Sequence, residues 1–154
     1  MSITDPINLW LTGEMEVDGF PVWIHVRSVV PEEHDRELFQ HLVIIRWSYT
    51  GDRDELPDEK ERERMTAFEK AVEPLMGQTK AGVLAASLTG RGNQEWRYYT
   101  SNPEGFMVQL NRALGEHARY PLEFELFQDP DWNALAELLP NLNHGDSIEK
   151  IVRH

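Results

Sequence analysis

The chain has 154 residues, 40% of them hydrophobic, no cysteine and a net charge of −12. This length suits one domain with a single core, and the lack of cysteine excludes disulfides, thiolate zinc sites, iron–sulfur clusters and cysteine nucleophiles. A field of this sign repels nucleic-acid phosphates and anionic membranes, so the composition predicts no direct nucleic-acid partner, no membrane association and, where there is a partner, a basic protein.

The first element in chain order is a β-hairpin. Residues 9–17 and 20–29 have strand-like patterns, and Asp18-Gly19 between them is a strong two-residue turn signal because both positions tolerate positive φ. Pro21, near the start of the second strand, predicts that this strand lies at the edge of a sheet.

The middle of the chain begins with a strand and a long helix. Residues 41–49 are apolar on nearly both faces, which predicts a central strand. An acidic loop over 51–58 follows, and its charges should be solvated: Asp52, Asp54 and Glu55. The next helix should run to about Met76, with Gly77 as the terminating residue. Its buried stripe is predicted from helical spacing: Met65, Phe68, Val72 and Leu75.

Two more strands and a second helix come next. The strands are predicted over 81–88 and 94–100, with a glycine-rich turn over 90–93. Ser101 has capping-box spacing to a glutamate, so it should begin a helix that ends near His117.

The last strand has a regular alternation. Leu122, Phe124 and Leu126 should point inward, whereas Glu123 and Glu125 should point to water. This pattern is typical of a sheet with one solvated side, or of an edge strand.

The order of elements predicts the fold class. Over 41–128 it is strand, helix, strand, strand, helix, strand, which is the ferredoxin-like βαββαβ plan of an antiparallel sheet with two helices on one face. The chain is therefore predicted to be one α+β domain over 1–154. An N-terminal hairpin and connection over 1–40 should extend or flank the sheet, and 129–154 should form a C-terminal helix and tail.

The segment "FQDPDW" at 127–132 contains two carboxylates, which raises the question of acid–base or metal chemistry. Asp129 suits the N-cap of a helix, Pro130 its first position and Asp131 the positive end of its dipole, while Trp132 begins an apolar stripe. Each residue thus has a structural role. An acid–base pair would need a cleft and opposed pKa environments, which the sequence does not indicate.

Four segments together resemble the bacterial domain-of-unknown-function family 695: the Asp18-Gly19 hairpin, "MTAFEKAVEPL", "EWRYYTS" and "DPDWNALAELLP", spread over most of 9–140. The chain departs from the family pattern at Gln94, where arginine is frequent, and at Leu135, where an aromatic is frequent. The family has no assigned reaction. By fold and by the "DPDW" ending, it is distantly similar to the acidic protein that binds and inhibits ribonuclease E, which implies a regulator.

One set of residues is predicted to bind a ligand. Arg46 and Arg97 should lie on neighbouring central strands, with Tyr99 beside Arg97, and Trp23 of the hairpin should close a pocket over them. The aromatic residues also suggest RNA stacking, but the charge and the missing RNP pattern disfavour it. The six histidines lack metal-ligand spacing, and no nucleophile elbow or phosphate loop occurs. No catalytic residue, metal or cofactor is therefore predicted.

Three function classes follow from these observations. The first is a non-enzymatic regulator that binds a protein partner through an acidic surface or an aromatic sheet edge. The second is a small-ligand-binding module with the pocket just described, and the third is an enzyme with an unrecognised carboxylate site. The chain shows no secretory signal pattern and no apolar run of about 20 residues, so a cytoplasmic protein, monomeric or weakly dimeric, is expected.

Overall fold

A computed structural model of the protein describes residues 10–50 and 56–141, and the side chains up to residue 139. The predicted loop charges Asp52, Asp54 and Glu55 and the tail after 141 lie outside the described residues. The described part contains six strands and four helices, an α+β composition: β1 (Trp10–Val17), β2 (Phe20–Arg27), α1 (Glu33–Leu38), β3 (His41–Ser48), α2 (Glu59–Thr79), β4 (Val83–Gly90), β5 (Asn93–Thr100), α3 (Pro103–Ala113), β6 (Leu122–Gln128) and α4 (Asn133–Asn141).

All six strands form one antiparallel sheet in the order β1-β2-β4-β5-β3-β6. The central position predicted for β3 is confirmed, since β3 lies between β5 and β6. The hairpin does not fold over a face of the sheet. It extends the sheet, because β2 pairs with β4 along one edge.

The hairpin turn is confirmed, with φ of 53° at Asp18 and 83° at Gly19. The prediction that β2 is an edge strand is wrong, because β2 has β1 on one side and β4 on the other. The ladder with β4 runs from Trp23 to Val26. Pro21 therefore lies beyond the end of that ladder, where its missing N–H breaks no pairing.

The sheet carries a separate core on each side. On the face that we call the helix-pair face, α2 and α3 cover a buried set: Val43, Ile45, Trp47, Met65, Phe68, Val72, Met76, Trp96, Tyr98, Phe106 and Leu110. On the opposite face, the α4 face, a second set surrounds α4: Leu11, Val22, Ile24, Val26, Phe39, Leu42, Ile44, Val83, Ala85, Ala86, Leu88, Tyr99, Trp132, Leu135 and Leu138. Burial on both sides explains why β3 is apolar over residues 42–45 and at Trp47.

Three boundaries of α2 and α3 differ from the predictions. Helix α2 continues through Gly77 to Thr79 and ends at Lys80, whose φ of 56° supplies the left-handed residue that glycine was expected to supply. Helix α3 is capped by Asn102, whose side chain accepts the Gly105 N–H at 3.2 Å, rather than by Ser101. It ends at Ala113, four residues before the predicted end.

The Asp129–Trp132 segment is a tight turn that precedes α4. The N–H of Trp132 donates to the Asp129 carbonyl at 3.0 Å, and Trp132 has φ of 55°. The helix begins only at Asn133, so Pro130 belongs to the turn and not to the first helical position. The capping role of Asp129 is confirmed from this more distant position. Its carboxylate accepts the N–H groups of Asn133 at 2.9 Å and Ala134 at 3.0 Å.

Candidate functional site

The four side chains predicted to form a binding pocket do not meet in one place. Trp23 lies on the helix-pair face, where it lines a cavity with α2. Arg46 and Arg97 lie on the opposite, α4 face of β3 and β5, where they share the carboxylate of Glu95. Tyr99 is on that same face but is buried beneath α4, with 1% of its surface exposed. A ligand in one pocket cannot contact all four.

The two arginines belong to an ion-pair network that crosses three strands. Arg46 Nε lies 2.8 Å from Glu95 Oε1, its Nη1 contacts Glu125, and Arg97 Nη2 lies 3.1 Å from Glu95 Oε2. The hydrogen bond that Arg46 donates to Glu95 is the largest effect that raises the pKa of Arg46. Both guanidinium groups thus have carboxylate partners within the fold. Their role in binding a ligand stays a prediction.

Tyr99 is held by the Asp129–Trp132 turn. Its ring stacks on Trp132 with 3.7 Å between centroids and 8° between planes, and its hydroxyl donates to Asp129 at 2.6 Å. Burial, with a smaller contribution from Asp129, raises the pKa of Tyr99. Tyr99, Asp129 and Trp132, which lie in segments that carry the family resemblance, therefore hold α4 against the sheet.

Trp23 opens onto a cavity of about 440 Å³ between the hairpin and α2. Its side chain is 45% exposed, which is unusual for a tryptophan in a strand. One wall is formed by the first turns of α2, and the floor is formed by strands: the lining includes Arg62, Met65, Thr66, Glu69, Ser87, Thr89, Gln94 and Trp96. Trp96 Nε1 donates to Glu69 Oε2 at 2.9 Å. One oxygen of this carboxylate therefore holds the Trp96 indole in place on the cavity floor.

The cavity continues as an open groove along α2. Next to the Trp23 cavity, the groove is lined by His25 of β2 and by Glu69 and Glu73 of α2. At the far end of the groove, Arg27 of β2 lies opposite Glu73. We call this surface the helix–hairpin groove; it comprises Trp23, His25 and Arg27 on β2, and Thr66, Glu69, Lys70 and Glu73 on α2. The groove exists because β2 extends the sheet past α2 and α3. The β2 side chains on the helix-pair face are therefore not covered by a described helix.

Negative charge concentrates on the α2 wall of the groove. Partial burial, and then the charge of Glu69 one turn away, raise the pKa of Glu73, although its side chain stays exposed. Burial lowers the pKa of His25 on the opposite strand, while Glu69 opposes that shift. The two carboxylates share the groove with His25 and Arg27 on the floor and with Lys70 on the same wall. A cation placed between them would be stabilised by both.

The far end of the groove holds a poorly solvated arginine. Arg27 Nε donates to the Leu84 carbonyl at 2.8 Å, and the guanidinium lies 4.9 Å from the Trp10 ring centroid. Burial lowers the pKa of Arg27 to about 10. Its Nη1 is buried and finds no hydrogen-bond partner among the described residues. Trp10 in turn stacks on His25 with 4.6 Å between centroids, so the end of the groove is aromatic as well as charged.

The sequence analysis identified Trp23 but not the α2 wall. Glu69 and Glu73 have i, i+4 spacing, a signal that is visible in the sequence but that does not by itself indicate a binding surface. Only the pairing of β2 with β4 brings the hairpin beside that face. In the described ranges, no three His, Asp or Glu side chains are grouped to hold a metal ion. No helix within these ranges is long and apolar enough to cross a bilayer.

Comparison with known protein families identifies the family to which the chain belongs. A model of the family of unknown function DUF695 matches residues 8–139. The chain belongs to this family. No curated protein and no solved structure shows significant similarity to it. Membership of DUF695 therefore assigns no reaction, and the distant resemblance to the inhibitor of ribonuclease E receives no support from these comparisons.

Proposed function

We propose that this DUF695 protein is a non-enzymatic protein-binding module whose helix–hairpin groove takes a basic segment of a partner protein. The observation that carries the proposal is the pair Glu69 and Glu73, one helical turn apart on the groove wall, facing the exposed ring of Trp23 and the rest of β2. The partner segment would place a lysine or arginine between the carboxylates and an apolar or guanidinium group on Trp23.

Glu69 and Glu73 already repel each other in the free protein. Burial, and then the charge of Glu69, raise the pKa of Glu73; the second effect means that the two charges disfavour each other along the groove wall. An incoming cation converts this repulsion into two attractive contacts. Among the described residues, Glu69 accepts from Trp96 through Oε2, which leaves its other oxygen for the partner.

Trp23 is the aromatic side chain of the groove that a partner would contact. Tryptophan and arginine are enriched among the side chains that dominate binding energy at protein interfaces, and a cation over an indole face contributes about 0.5–2 kcal/mol. Trp23 is exposed at the mouth of a cavity rather than packed in the core. It is therefore suited to anchor a side chain that the acidic wall has attracted.

The net charge of −12 supports the same class of partner. A strong negative field speeds the encounter with basic proteins, and the gain falls as salt screens it over a Debye length of about 8 Å at physiological ionic strength. We infer a cytoplasmic setting and a partner defined by its basic chemistry. An inhibitory role towards ribonuclease E remains one specific case of this proposal.

A small-ligand-binding function is the second candidate. The cavity beside Trp23, at about 440 Å³, falls within the range of about 300–1,000 Å³ that is typical of ligand sites. Its floor combines the indole of Trp96 with the polar side chains of Thr89 and Gln94, which hydrogen-bond to each other. A cationic or amide-containing aromatic compound would fit this lining.

For residues 41–128 we retain the ferredoxin-like plan as a proposal. Within the larger sheet the four strands of this region have the order β4-β5-β3-β6, and α2 and α3 pack on one face. Both facts support the plan, and the hairpin is then an addition at the β4 edge.

The experiment is affinity capture from lysate at low and high salt, followed by association kinetics with the captured protein. We expect Glu73→Gln to slow association and Trp23→Ala to speed dissociation, because the first residue attracts and the second anchors. Glu63→Gln is the matched charge control, since Glu63 lies on α2 outside the groove, and Leu38→Ala is the control for an exposed apolar residue.

A partner whose binding is indifferent to salt and to both groove variants would overturn the proposal. Capture of a low-molecular-weight compound in the Trp23 cavity, lost in Trp23→Ala while protein partners are unchanged, would favour the second candidate instead.

A further inference from the structure

Strand β6 is an edge of the sheet with an unusual amount of exposed apolar surface. It pairs with β3 along its whole length, from Leu122 opposite Trp47 to Gln128 opposite His41, and no described strand lies on its other side. Phe124 is 41% exposed, Leu126 58% and Phe127 44%. The prediction that Phe124 and Leu126 point inward is therefore wrong, because the helix pair does not cover the last strand.

The hydrogen bonding of β6 shows which backbone groups face the open edge. The N–H of Asp129 donates to the Gln40 carbonyl at 2.8 Å, which continues the register of the β3–β6 ladder by one pair. Hydrogen-bonded pairs alternate with non-bonded pairs in an antiparallel ladder. Glu123, Glu125 and Phe127 therefore bond to β3, whereas the N–H and C=O groups of Phe124, Leu126 and Gln128 point outward.

This edge lacks three of the features that usually prevent strand addition. Edge strands are commonly blocked by lysine, proline or a β-bulge. The sequence of β6 is LEFELFQ, which contains neither lysine nor proline, and its ladder with β3 has no register shift. The result is a regular seven-residue template with three outward-facing residues and apolar side chains beside them.

Charge decides which strand can be added. Glu123 and Glu125 lie on the α4 face of β6, and Phe124 and Leu126 on the other face. A second copy would bring its own glutamates and a net charge of −12 to this edge. We propose that β6 accepts an extended segment of a basic partner protein as a seventh strand, with cationic residues beside the glutamates alternating with apolar residues beside Phe124 and Leu126.

This proposal concerns a different surface from the helix–hairpin groove and does not depend on it. The experiment uses a fluorescently labelled peptide of alternating lysine and valine, with anisotropy measured on the full chain. Leu126→Pro removes an outward N–H that the β3 ladder does not use, whereas Leu126→Ala keeps it and is the matched control. We expect Leu126→Pro to weaken binding by tenfold or more, and Leu126→Ala by less than about threefold, since the backbone dominates strand addition.

Circular dichroism verifies that Leu126→Pro is folded. A second measurement does not require that variant: the same peptide, N-methylated at every second residue, should lose binding to the unmodified protein. Glu63→Gln, on α2 outside the groove, should leave peptide binding unchanged. Equal binding of the methylated peptide, no binding of either peptide, or a dimer that Leu126→Pro dissolves would each overturn the proposal, the last because the occupant would then be a second copy.

Discussion

The hydroxyl of Tyr99 donates a 2.6 Å hydrogen bond to the carboxylate of Asp129, which connects the centre of the sheet to the turn before α4. The same carboxylate accepts the N–H groups of Asn133 and Ala134. One buried acid thus holds a strand and the start of a helix together. This contact gives the "DPDW" segment its importance, and it is structural rather than catalytic.

We expect Asp129→Ala to lower the free energy of unfolding by about 3 kcal/mol, because it leaves a buried hydroxyl and two helix N–H groups without their acceptor. Tyr99→Phe removes only one donor and should cost about 1–2 kcal/mol. Urea denaturation measures both. A cost for Asp129→Ala no larger than that of an exposed aspartate such as Asp131 would contradict this account.

Stability should fall at alkaline pH. Burial raises the pKa of Tyr99 in the folded protein, so the unfolded chain loses this proton first. The stabilisation that protonated Tyr99 gives to the fold is fully present below the ordinary tyrosine pKa of about 10. Above that pH the free energy of unfolding declines by up to about 1.4 kcal/mol per pH unit for one proton. Tyr98 is also shifted upward by burial, so Tyr99→Phe should reduce the slope without abolishing it. An unchanged slope in Tyr99→Phe would exclude this origin.

The two tryptophans at 132 and 23 should differ sharply in their effect on folding. Trp132 is fully buried, stacks on Tyr99 and donates from Nε1 to the Phe39 carbonyl at 2.8 Å. Trp132→Ala should cost about 3–5 kcal/mol. Trp23→Ala should cost about 1 kcal/mol or less, because that ring is half exposed. Thermal or urea unfolding of both variants checks the difference, and comparable losses would mean that Trp23 is a core residue.

Substitution by alanine should have opposite effects on stability at Gly90 and at Gly77. A Cβ at Gly90 would lie 2.8 Å from the Pro21 carbonyl oxygen, and its φ is 157°. Gly90→Ala should therefore push the hairpin away from β4 and destabilise by about 1–3 kcal/mol. Gly77 lies within α2, and nothing lies within 4 Å of the position of a new Cβ. Gly77→Ala should stabilise by about 0.5–1 kcal/mol. The opposite signs are measurable by differential scanning calorimetry.

Glu95, whose carboxylate contacts two arginines, should contribute more to the free energy of unfolding than Glu125, which contacts one. Glu95 contacts both Arg46 and Arg97, and its side chain is only 16% exposed. Glu95→Gln should cost about 1–2 kcal/mol, whereas Glu125→Gln, at the 41% exposed end of the network, should cost about 1 kcal/mol or less. If urea unfolding gave the same value for both, Glu95 would not be the centre of the network.

Most local structure could be predicted because it depends on neighbouring residues. The Asp18-Gly19 turn follows from two residues that tolerate positive φ, and the strands follow from alternation. The helix ends were less predictable. Lys80 adopts the left-handed conformation expected of Gly77, because the position of a helix end also depends on what the helix packs against.

The candidate site was predicted only in part. Arg46 and Arg97 were correctly placed on neighbouring strands, but their pairing with Glu95 was not foreseen. The alternation of β5 indicated that Tyr99 shares their face. It could not indicate that α4 covers Tyr99 and leaves the arginines open, since periodicity identifies faces but not the elements that cover them.

The sequence by itself determined the order of the elements apart from α1, the hairpin turn, the capping carboxylate at Asp129 and the net negative charge. Each follows from φ/ψ preference, from period or from charge within a few residues. The tertiary structure alone decided that β2 pairs with β4, with Trp23 opposite Thr89. That long-range pairing extends the sheet past α2 and opens the groove beside Glu69. Its energy comes from burying Val22, Ile24 and Val26 against α4, a contact between segments that are distant in the chain.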